Sequence, residues 1–388
     1  MRLPLQPFMK IIIDLRPLIF NCVSEEAKHF IFSSLYIITK ENKEHEWFFL
    51  VDQFYINQKD IYVDEKKLII KKSFKNIFGW KIWYGFQLPN LVKKYKIDLL
   101  ITTGGVASSS SINQCVWMPE INEKINGLNK NYFSFYKKRL TSTLQKAQTI
   151  FVFSEKNKQE FINKYKLEEK KLFIIRSAPN AGSAPLAWTE KENIKIKYAG
   201  AKEFFAVAGS FENENFVNIL KAFSQFKKRQ QSNMQLVIAI KNINKNNLFI
   251  QKLESYKYKA DVHLINRFTN DELIKIIAAC YVLINKTNES EPATIVLNAC
   301  KSEIAIIAND NEACRETLAG AALYADINNP ESLSAQLMLL YKDENLRNKL
   351  IEKGKSKVEQ FDFQKTKSLI LNGILNAANN NKPNKYSS

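Results

Sequence analysis

Residues 281–310 read YVLINKTNESEPATIVLNACKSEIAIIAND, and this stretch decides the fold of the chain. Apolar runs at 281–286 and 303–310 stand on either side of a segment that has apolar residues at helical spacing. A strand, a helix and a second strand in this order are typical of a parallel sheet that is wrapped by helices. The stretch therefore predicts one repeat of such a sheet.

The same alternation runs along the rest of the chain. Strand-like apolar runs occur at 10–15, 47–52, 67–72, 98–103, 114–118, 149–154, 204–210, 235–240, 261–266, 281–286, 303–310 and 321–326. Between the sixth and seventh runs, RSAPNAGSAPLAWTE (176–190) is dense in Pro, Gly, Ala and Ser and is typical of a linker. We therefore expect an α/β protein of two Rossmann-like, doubly wound domains that face a central cleft, with ligands at the carboxyl ends of the strands.

Composition agrees with two globular domains. The chain has 388 residues, of which 45% are hydrophobic, so it can bury two cores of ordinary size. Its five cysteines show no CxxC or Cys/His spacing, which argues against a disulfide framework or a zinc site and favours a reducing cytoplasm. No apolar run approaches the ~18 residues that a membrane span needs.

The net charge of +18 is unevenly distributed. Residues 1–180 contain 29 basic and 17 acidic residues, whereas the remainder contains 28 and 22. A basic first half favours an anionic partner such as a membrane surface, a nucleic acid or a phosphorylated substrate. A general bias toward Lys, Asn and Ile explains the charge equally well.

The segment 268–354 resembles, almost element for element, the nucleotide-sugar domain of family 4 retaining glycosyltransferases, which have the GT-B fold. In that family E-G-F-G-x-P-x-x-E-A precedes a strand of the type P-V-I-A-S-D, a helix that begins R-E and a loop G-x-A-A-L-x-x-D. The first half resembles the acceptor domain, and 361–375 resembles the final helix that crosses back to that domain. The implied organisation is an acceptor domain at 9–178, a linker at 179–198, a nucleotide-sugar domain at 199–356, a crossing helix at 357–376 and a disordered tail at 377–388.

Two carboxylates of the family are replaced in this chain. One Glu begins the E-G-F-G turn and a second follows eight positions later, and the corresponding residues here are Ser290 and Asn298. An asparagine can bind a sugar hydroxyl, but it lacks the charge-assisted strength of a carboxylate. Glu289 and Glu291 can substitute if the turn shifts by one residue, which makes Glu291 a candidate catalytic carboxylate. Alternatively, both are solvent-facing loop glutamates.

The diphosphate-binding loop is also altered. After the first strand of this domain the family has a glycine, then an Arg and a Lys, whereas the segment 208–216 (AGSFENENF) has Asn213 and Glu214 where cations are expected. Lys241 follows a strand and can supply one positive charge, or it is simply one of several loop lysines. By the resemblance, the nucleotide base stacks near Phe268. The candidate donor-binding residues are Gly209, Ser210, Lys241, Phe268, Ser290 and Asn298.

The acceptor side offers weaker candidates. Pro119 and Glu120 stand where the family usually has His-Asp, so Glu120 is a candidate base toward an acceptor hydroxyl, or else it caps the following helix. Gly104 and Gly105 directly follow a strand and are candidates for a loop that offers backbone N–H groups to a phosphate or a sugar.

Lysines and aromatic residues alternate in the segment 71–96, KKSFKNIFGWKIWYGFQLPNLVKKYK. This pattern suits contact with the headgroups of an anionic membrane. Some of the aromatic residues are expected to face the core instead, since the resembling family has packing residues in this helix. We expect no nucleic acid here, because no RNA-binding motif accompanies the pattern.

The resemblance implies a glycosyltransferase that moves a sugar with retention from a nucleotide-sugar, its substrate, to a saccharide or lipid-linked acceptor. It implies no cofactor and no metal. A different class of protein is left open by the same residues: a catalytically inactive relative that kept the fold and serves as a binding or scaffold subunit.

Overall fold

The computed structural model describes residues 8–19, 23–52, 68–71, 76–119, 126–211, 213–241 and 248–379. The chain divides into two compact units. The first consists of Met1–Ile175 and Gln364–Ser388, and the second of Arg176–Phe363. Each unit contains a parallel sheet with helices around it.

The elements are numbered in chain order. The described strands are β1 Lys10–Asp14, β2 Glu46–Val51, β3 Leu68–Ile70, β4 Leu99–Thr102, β5 Asn113–Trp117, β6 Thr149–Val152, β7 Leu172–Ile174, β8 Phe204–Gly209, β9 Gln235–Ala239, β10 Val262–Ile265, β11 Val282–Lys286, β12 Ala305–Asn309 and β13 Leu323–Ala325. The described helices are α1 Arg16–Ile19, α2 Glu25–Glu41, α3 Ile77–Ile82, α4 Leu88–Lys94, α5 Asn126–Lys146, α6 Glu155–Tyr165, α7 Trp188–Ala199, α8 Asn213–Gln230, α9 Leu248–Glu254, α10 Asn270–Ala279, α11 Thr294–Lys301, α12 Glu312–Leu318, α13 Pro330–Lys342, α14 Glu344–Val358 and α15 Phe363–Asn379.

The strands of the first unit form one parallel sheet in the order β3-β2-β1-β4-β5-β6-β7. Its central strands are apolar runs because both faces of the sheet are covered. Along β5 and β6, Trp117 and Phe151 pack into one core cluster, whereas Val116 and Ile150 pack into another. Successive side chains of a strand point to opposite faces, so a single run supplies both clusters.

A buried ion pair lies at the carboxyl end of β1. The Arg16 guanidinium donates two hydrogen bonds to the Asp14 carboxylate, at 2.9 and 2.8 Å, and both side chains are fully buried. The guanidinium also lies 3.7 Å from the ring centroid of Trp83. The Thr103 hydroxyl, just after β4, donates to the Asp14 carbonyl at 2.7 Å. The bidentate pair brings two opposite charges together inside the unit, and the Thr103 hydrogen bond holds the ends of β1 and β4 together.

The aromatic residues of the segment 71–96 are split between core and surface. Trp80, Trp83 and Tyr84 are buried, which confirms the expectation that some of these aromatic residues face the core. Phe78 and Phe86 are 70% and 66% exposed. Residues 72–75 of this segment lie outside the described part of the chain. Among the described helices, none is both long and apolar enough to cross a bilayer.

The strands of the second unit form a parallel sheet in the order β10-β9-β8-β11-β12-β13. Strand β8 shows how this unit is built. Phe204, Ala206 and Ala208 pack into one core cluster, and Phe205 and Val207 pack into the cluster on the opposite face. This order of strands is the Rossmann-like order, in which the sequence of strands reverses between β8 and β11.

The last helix, α15, packs on the first sheet. The Thr149 hydroxyl donates to the Gly373 carbonyl at 2.8 Å, and the Asn113 side chain donates to the Ala378 carbonyl at 3.2 Å. Gly373 allows this close approach, because a Cβ there would overlap Phe151 and lie 3.1 Å from the Thr149 methyl group. The C-terminal segment therefore completes the first unit.

The fold class expected from the sequence, two Rossmann-like doubly wound domains, is confirmed. Each of the twelve apolar runs contains a strand, while the short β7 adds one that the sequence analysis did not list. Within the segment interpreted as a linker, 179–198, the structure has helix α7 from Trp188 onward. The helix expected at 357–376 begins at Phe363 and extends to Asn379, into the segment interpreted as a tail.

We expect Gly373→Ala to lower the free energy of unfolding by about 1–3 kcal/mol, since the added methyl group overpacks the contact with β6. Gly85→Ala is the matched control, because residue 85 is exposed and also lies in helical backbone. A methyl group added there would meet no other atom within 4 Å. Urea unfolding followed by circular dichroism measures both. Equal stability of the two variants would contradict close packing of α15.

Candidate functional site

The candidate site lies where the strand order of the second sheet reverses. Gly209 ends β8 and is paired in register with Lys286, which ends β11. A Cβ on Gly209 would lie 2.6 Å from the Lys286 carbonyl oxygen, and its φ of +139° is unfavourable for other residues. Only a glycine therefore lets the next residue, Ser210, donate its N–H to that carbonyl at 2.9 Å.

Two predicted donor-binding residues meet beside this point. Lys241 follows β9 and Phe268 follows β10, and the Lys241 ammonium lies 5.2 Å from the centroid of the Phe268 ring. Both side chains are half-buried, and Arg267 beside them is exposed. Four adjacent strands, β10, β9, β8 and β11, end at the same edge of the sheet. We call the residues at these ends the switch-point edge: Phe268 after β10, Lys241 after β9, Gly209 and Ser210 at the end of β8, and Lys286 at the end of β11.

A capping box fixes the chain immediately after Phe268. The Thr269 hydroxyl accepts the Glu272 N–H at 3.1 Å, and the Glu272 carboxylate accepts the Thr269 N–H at 2.9 Å. The hydrogen bond from the Thr269 N–H, together with side-chain hydrogen bonds from Lys197 and Tyr198, lowers the pKa of the Glu272 carboxyl to about 2. Helix α10 therefore starts at a defined residue and sets the place of the Phe268 ring.

Glu291 is tied to the switch-point edge. Its side chain is 3% exposed, its Oε1 accepts a hydrogen bond from the Ser210 hydroxyl, and its Oε2 accepts the Asn288 N–H at 2.7 Å. The interpretation of Glu291 as a solvent-facing residue is therefore wrong. Its carboxylate is held across the point where β8 and β11 end, and Ser290 lies half-buried in the same turn.

Glu289 holds a different helix. Its carboxylate accepts the N–H groups of Glu312 and Ala313 at 3.2 and 3.1 Å, at the start of α12. A carboxylate at this end of a helix is favourable, because it satisfies backbone donors that have no partner within the helix. Glu289 therefore anchors α12 to the turn after β11, and it too is not a simple solvent-facing glutamate.

The Asn298 side chain hydrogen-bonds to the segment that precedes α7. It is 4% exposed, and its Oδ1 accepts the Asn180 N–H at 2.8 Å and the Ser183 hydroxyl at 3.0 Å. Nearby, the hydroxyls of Ser177 and Thr294 hydrogen-bond at 2.7 Å. Helix α11 thus holds residues 177–183 through side chains, which is a structural use of the position where the resembling family has its second carboxylate.

The first turn of α8 carries no cation. Glu214 is exposed there, at the position where the family places a positive side chain, and the side chain of Asn213 lies outside the described part of the chain. An acidic residue stabilises the first turn of a helix through the macrodipole. Lys286, the last residue of β11, brings a positive charge to this edge, and the sequence analysis did not single it out. Its only signal in the sequence is its place at the carboxyl end of a strand.

The glycine candidates of the first unit are packed inside it. A Cβ on Gly104 would overlap Pro17 and the Tyr132 hydroxyl, and that hydroxyl donates to the Gly104 carbonyl at 2.8 Å. Gly105 has a φ of +69° and donates its N–H to the Trp117 carbonyl at 3.0 Å. These contacts give both glycines a packing role. Glu120, the candidate base, lies outside the described residues.

Ala293 precedes α11 with a left-handed backbone, at a φ of +58°, where the family has a glycine. We expect Ala293→Gly to leave the free energy of unfolding unchanged or to raise it by up to about 1 kcal/mol, since a Cβ is strained in this conformation. Ala299→Gly, inside the same helix and also buried, serves as the comparison and should lose about 1 kcal/mol or more. Denaturant titration of both variants measures the difference, and a similar loss for both would argue against backbone strain at residue 293.

Comparison with known proteins finds a family match within the second unit. Residues 189–357 match the family model described as glycosyl transferases group 1. No curated protein matches the chain by sequence. Among solved structures, WaaG, a glycosyltransferase involved in lipopolysaccharide biosynthesis, is 12% identical with a TM-score of 0.72 and matches over 94% of this chain and 99% of its own.

Two further structures show the same fold. Sucrose-phosphate synthase from Thermosynechococcus elongatus is 9% identical, with a TM-score of 0.71 over 94% of this chain and 98% of its own. Anabaena HepE, in complex with UDP and glucose, is 12% identical, with a TM-score of 0.67 over 95% of this chain and 99% of its own. The chain therefore has the GT-B fold, and residues 189–357, which lie within its second unit, match the glycosyl transferases group 1 family.

Proposed function

We propose that this protein transfers a sugar with retention from a nucleotide-sugar, and that the donor binds along the switch-point edge. The observation that carries this proposal is the order of side chains across adjacent strands: an aromatic ring after β10, a cation after β9, and a glycine with a hydroxyl after β8. With strands about 4.8 Å apart, these groups follow one another along one edge of the sheet. A base on Phe268 directs the diphosphate toward Gly209 and Ser210.

This arrangement suits a departing diphosphate. Such a leaving group is stabilised by fixed positive charge and by oriented donors, which are most effective when they are in place before the reaction. Lys241 supplies charge, and the Ser210 hydroxyl supplies a donor. The half-buried position of Lys241 strengthens its attraction for a phosphate compared with a fully solvated lysine.

Glu291 is the carboxylate proposed to hold the donor sugar. A carboxylate has about four lone-pair sites, and the two bonds accepted from Ser210 and Asn288 leave capacity for sugar hydroxyls. The existing bonds also fix its orientation. Glu291 thereby takes the part that the resembling family gives to the residue at position 290, while Ser290 contributes a neutral polar group.

The acceptor is proposed to be a saccharide or a lipid-linked saccharide. WaaG acts in lipopolysaccharide biosynthesis and HepE binds UDP and glucose, so a UDP-sugar and a glycan acceptor are the first substrates to test. Glu120 is retained as the candidate base toward the acceptor hydroxyl.

A lipid-linked acceptor fits the exposed face around α3 and α4. Phe78 and Phe86 project from this face, and Lys81, Lys93 and Lys94 on the same helical segment are exposed. Exposed aromatic rings among lysines bind the headgroup region of anionic membranes. We propose that this face contacts the cytoplasmic surface of a membrane.

The inactive-relative alternative is favoured by one set of observations: Glu289 and Asn298 make structural hydrogen bonds in place of sugar contacts. A test of donor binding distinguishes the two functions. An active transferase binds a nucleotide-sugar at the switch-point edge, whereas a scaffold that has lost its chemistry is expected not to bind one.

We expect one nucleotide-sugar among UDP-, GDP- and ADP-sugars to bind in isothermal titration calorimetry, and Phe268→Ala to weaken it by roughly 10-fold or more, since base stacking contributes about 1–3 kcal/mol. Lys241→Met should weaken the same ligand. Lys221→Met, at an exposed lysine on α8, is the matched control and should bind normally. No binding by the folded wild-type protein to any member of the panel would favour the scaffold function.

We expect the Phe78→Ser, Phe86→Ser double variant to lose sedimentation with vesicles that contain anionic lipid, because two rings that insert among headgroups are removed. Trp188→Ser is the matched control, since Trp188 is 75% exposed but lies in the second unit. Unchanged sedimentation of the double variant would exclude this face as the contact.

A further inference from the structure

Lys286 is the second cation of the switch-point edge. It is the last residue of β11, its carbonyl accepts the Ser210 N–H at 2.9 Å, and its register partner is Gly209. Its backbone is therefore part of the constraint that shapes the loop after β8. The side chain is half-buried, so its charge is partly shielded from bulk water.

The Lys286 ammonium has a neutral partner. Its Nζ donates to the Asn215 side-chain oxygen at 3.1 Å, and within the described part of the chain no carboxylate lies within ion-pair distance of it. Asn215 belongs to the first turn of α8, where the helix macrodipole is positive rather than negative. Among the described residues, the charge of Lys286 thus has no carboxylate partner at the place where the proposed donor carries its phosphates.

Asn215 is itself held in place. It is 3% exposed, and its side-chain amide donates to the Asn328 side-chain oxygen at 2.7 Å. Asn218, one turn further along α8, donates to the Asn328 carbonyl at 3.0 Å. The loop after β13 therefore fixes Asn215, and Asn215 fixes the ammonium.

We infer that Lys286 binds the phosphate groups of the donor and that Asn215 positions it. This inference rests on the proposed nucleotide-sugar function and deepens it. Lys286 supplies the charge that the first turn of α8 lacks, and it does so from the neighbouring strand. Lys241 and Lys286 then stand on opposite sides of the β8 end, so that the diphosphate lies between two cations, with Gly209 and Ser210 beneath it.

The test compares a nucleoside diphosphate with its nucleoside. Calorimetry on the full chain measures both ligands, using the nucleotide that the wild-type protein prefers. We expect Lys286→Met to bind the diphosphate roughly 10- to 100-fold more weakly, as for the loss of one charge-assisted hydrogen bond, and to leave nucleoside affinity unchanged. Lys286→Arg should keep most of the affinity. Asn215→Leu should show a smaller loss than Lys286→Met.

Salt dependence separates a phosphate contact from a structural role. If Lys286 contacts phosphate, Lys286→Met flattens the dependence of diphosphate affinity on salt concentration, whereas a fold defect lowers the affinity for both ligands. Lys301→Met, at an exposed lysine on α11, is the matched control and should leave affinity and slope unchanged.

Three results would each overturn the inference. Wild-type affinity of Lys286→Met for the diphosphate would exclude Lys286 while the proposed function stands. Equal losses for diphosphate and nucleoside would show that the residue acts through the fold. A wild-type protein that binds no nucleotide at all refutes the proposed function itself and, with it, the role of Lys286.

Discussion

The second unit depends on how closely two strand ends approach each other. The Ser210 N–H reaches the Lys286 carbonyl only because residue 209 has no side chain and tolerates a φ of +139°. Once that bond is formed, the Ser210 hydroxyl lies within hydrogen-bonding reach of Glu291. The loops after β8 and β11 are thus joined twice, by a backbone bond and by a buried carboxylate. A buried carboxylate is stable only when it is hydrogen-bonded, so the two bonds support each other.

Most of the fold follows from local patterns. An apolar run such as 204–210 predicts a strand because both faces of a parallel sheet are buried in its central strands, and each of the twelve runs contains a strand. The sequence analysis missed β7, although β3 is equally short, also follows lysines and was predicted. Helix α7 was missed for a physical reason. Its sequence, WTEKENIKIKYA, follows a run rich in Pro, Gly and Ala, and its helical signal begins only after that run has ended.

The position of a candidate residue was predictable where it depends on its own strand. Gly209 ends a strand and Ser210, Lys241 and Phe268 follow strands, so these residues lie at one edge of the sheet. The role of Asn298 was not predictable in this way, because its partners Asn180 and Ser183 are more than a hundred residues away in the sequence. Hydrogen bonds between distant segments leave no periodic signal in either segment.

Residues that replace a lost motif can come from neighbouring strands of the sheet rather than from neighbouring positions in the sequence. In a parallel sheet, residues that follow neighbouring strands are about 4.8 Å apart, although they are separated by dozens of residues in the chain. A charge lost from the first turn of α8 can therefore be supplied by the end of β11, and a carboxylate lost at position 290 by Glu291 in the same turn. Under the proposed function, such exchanges keep a cation and a carboxylate at the donor site while they erase the sequence motif. The residues that cannot be exchanged are those set by close approach, and Gly209 is the one that this edge keeps.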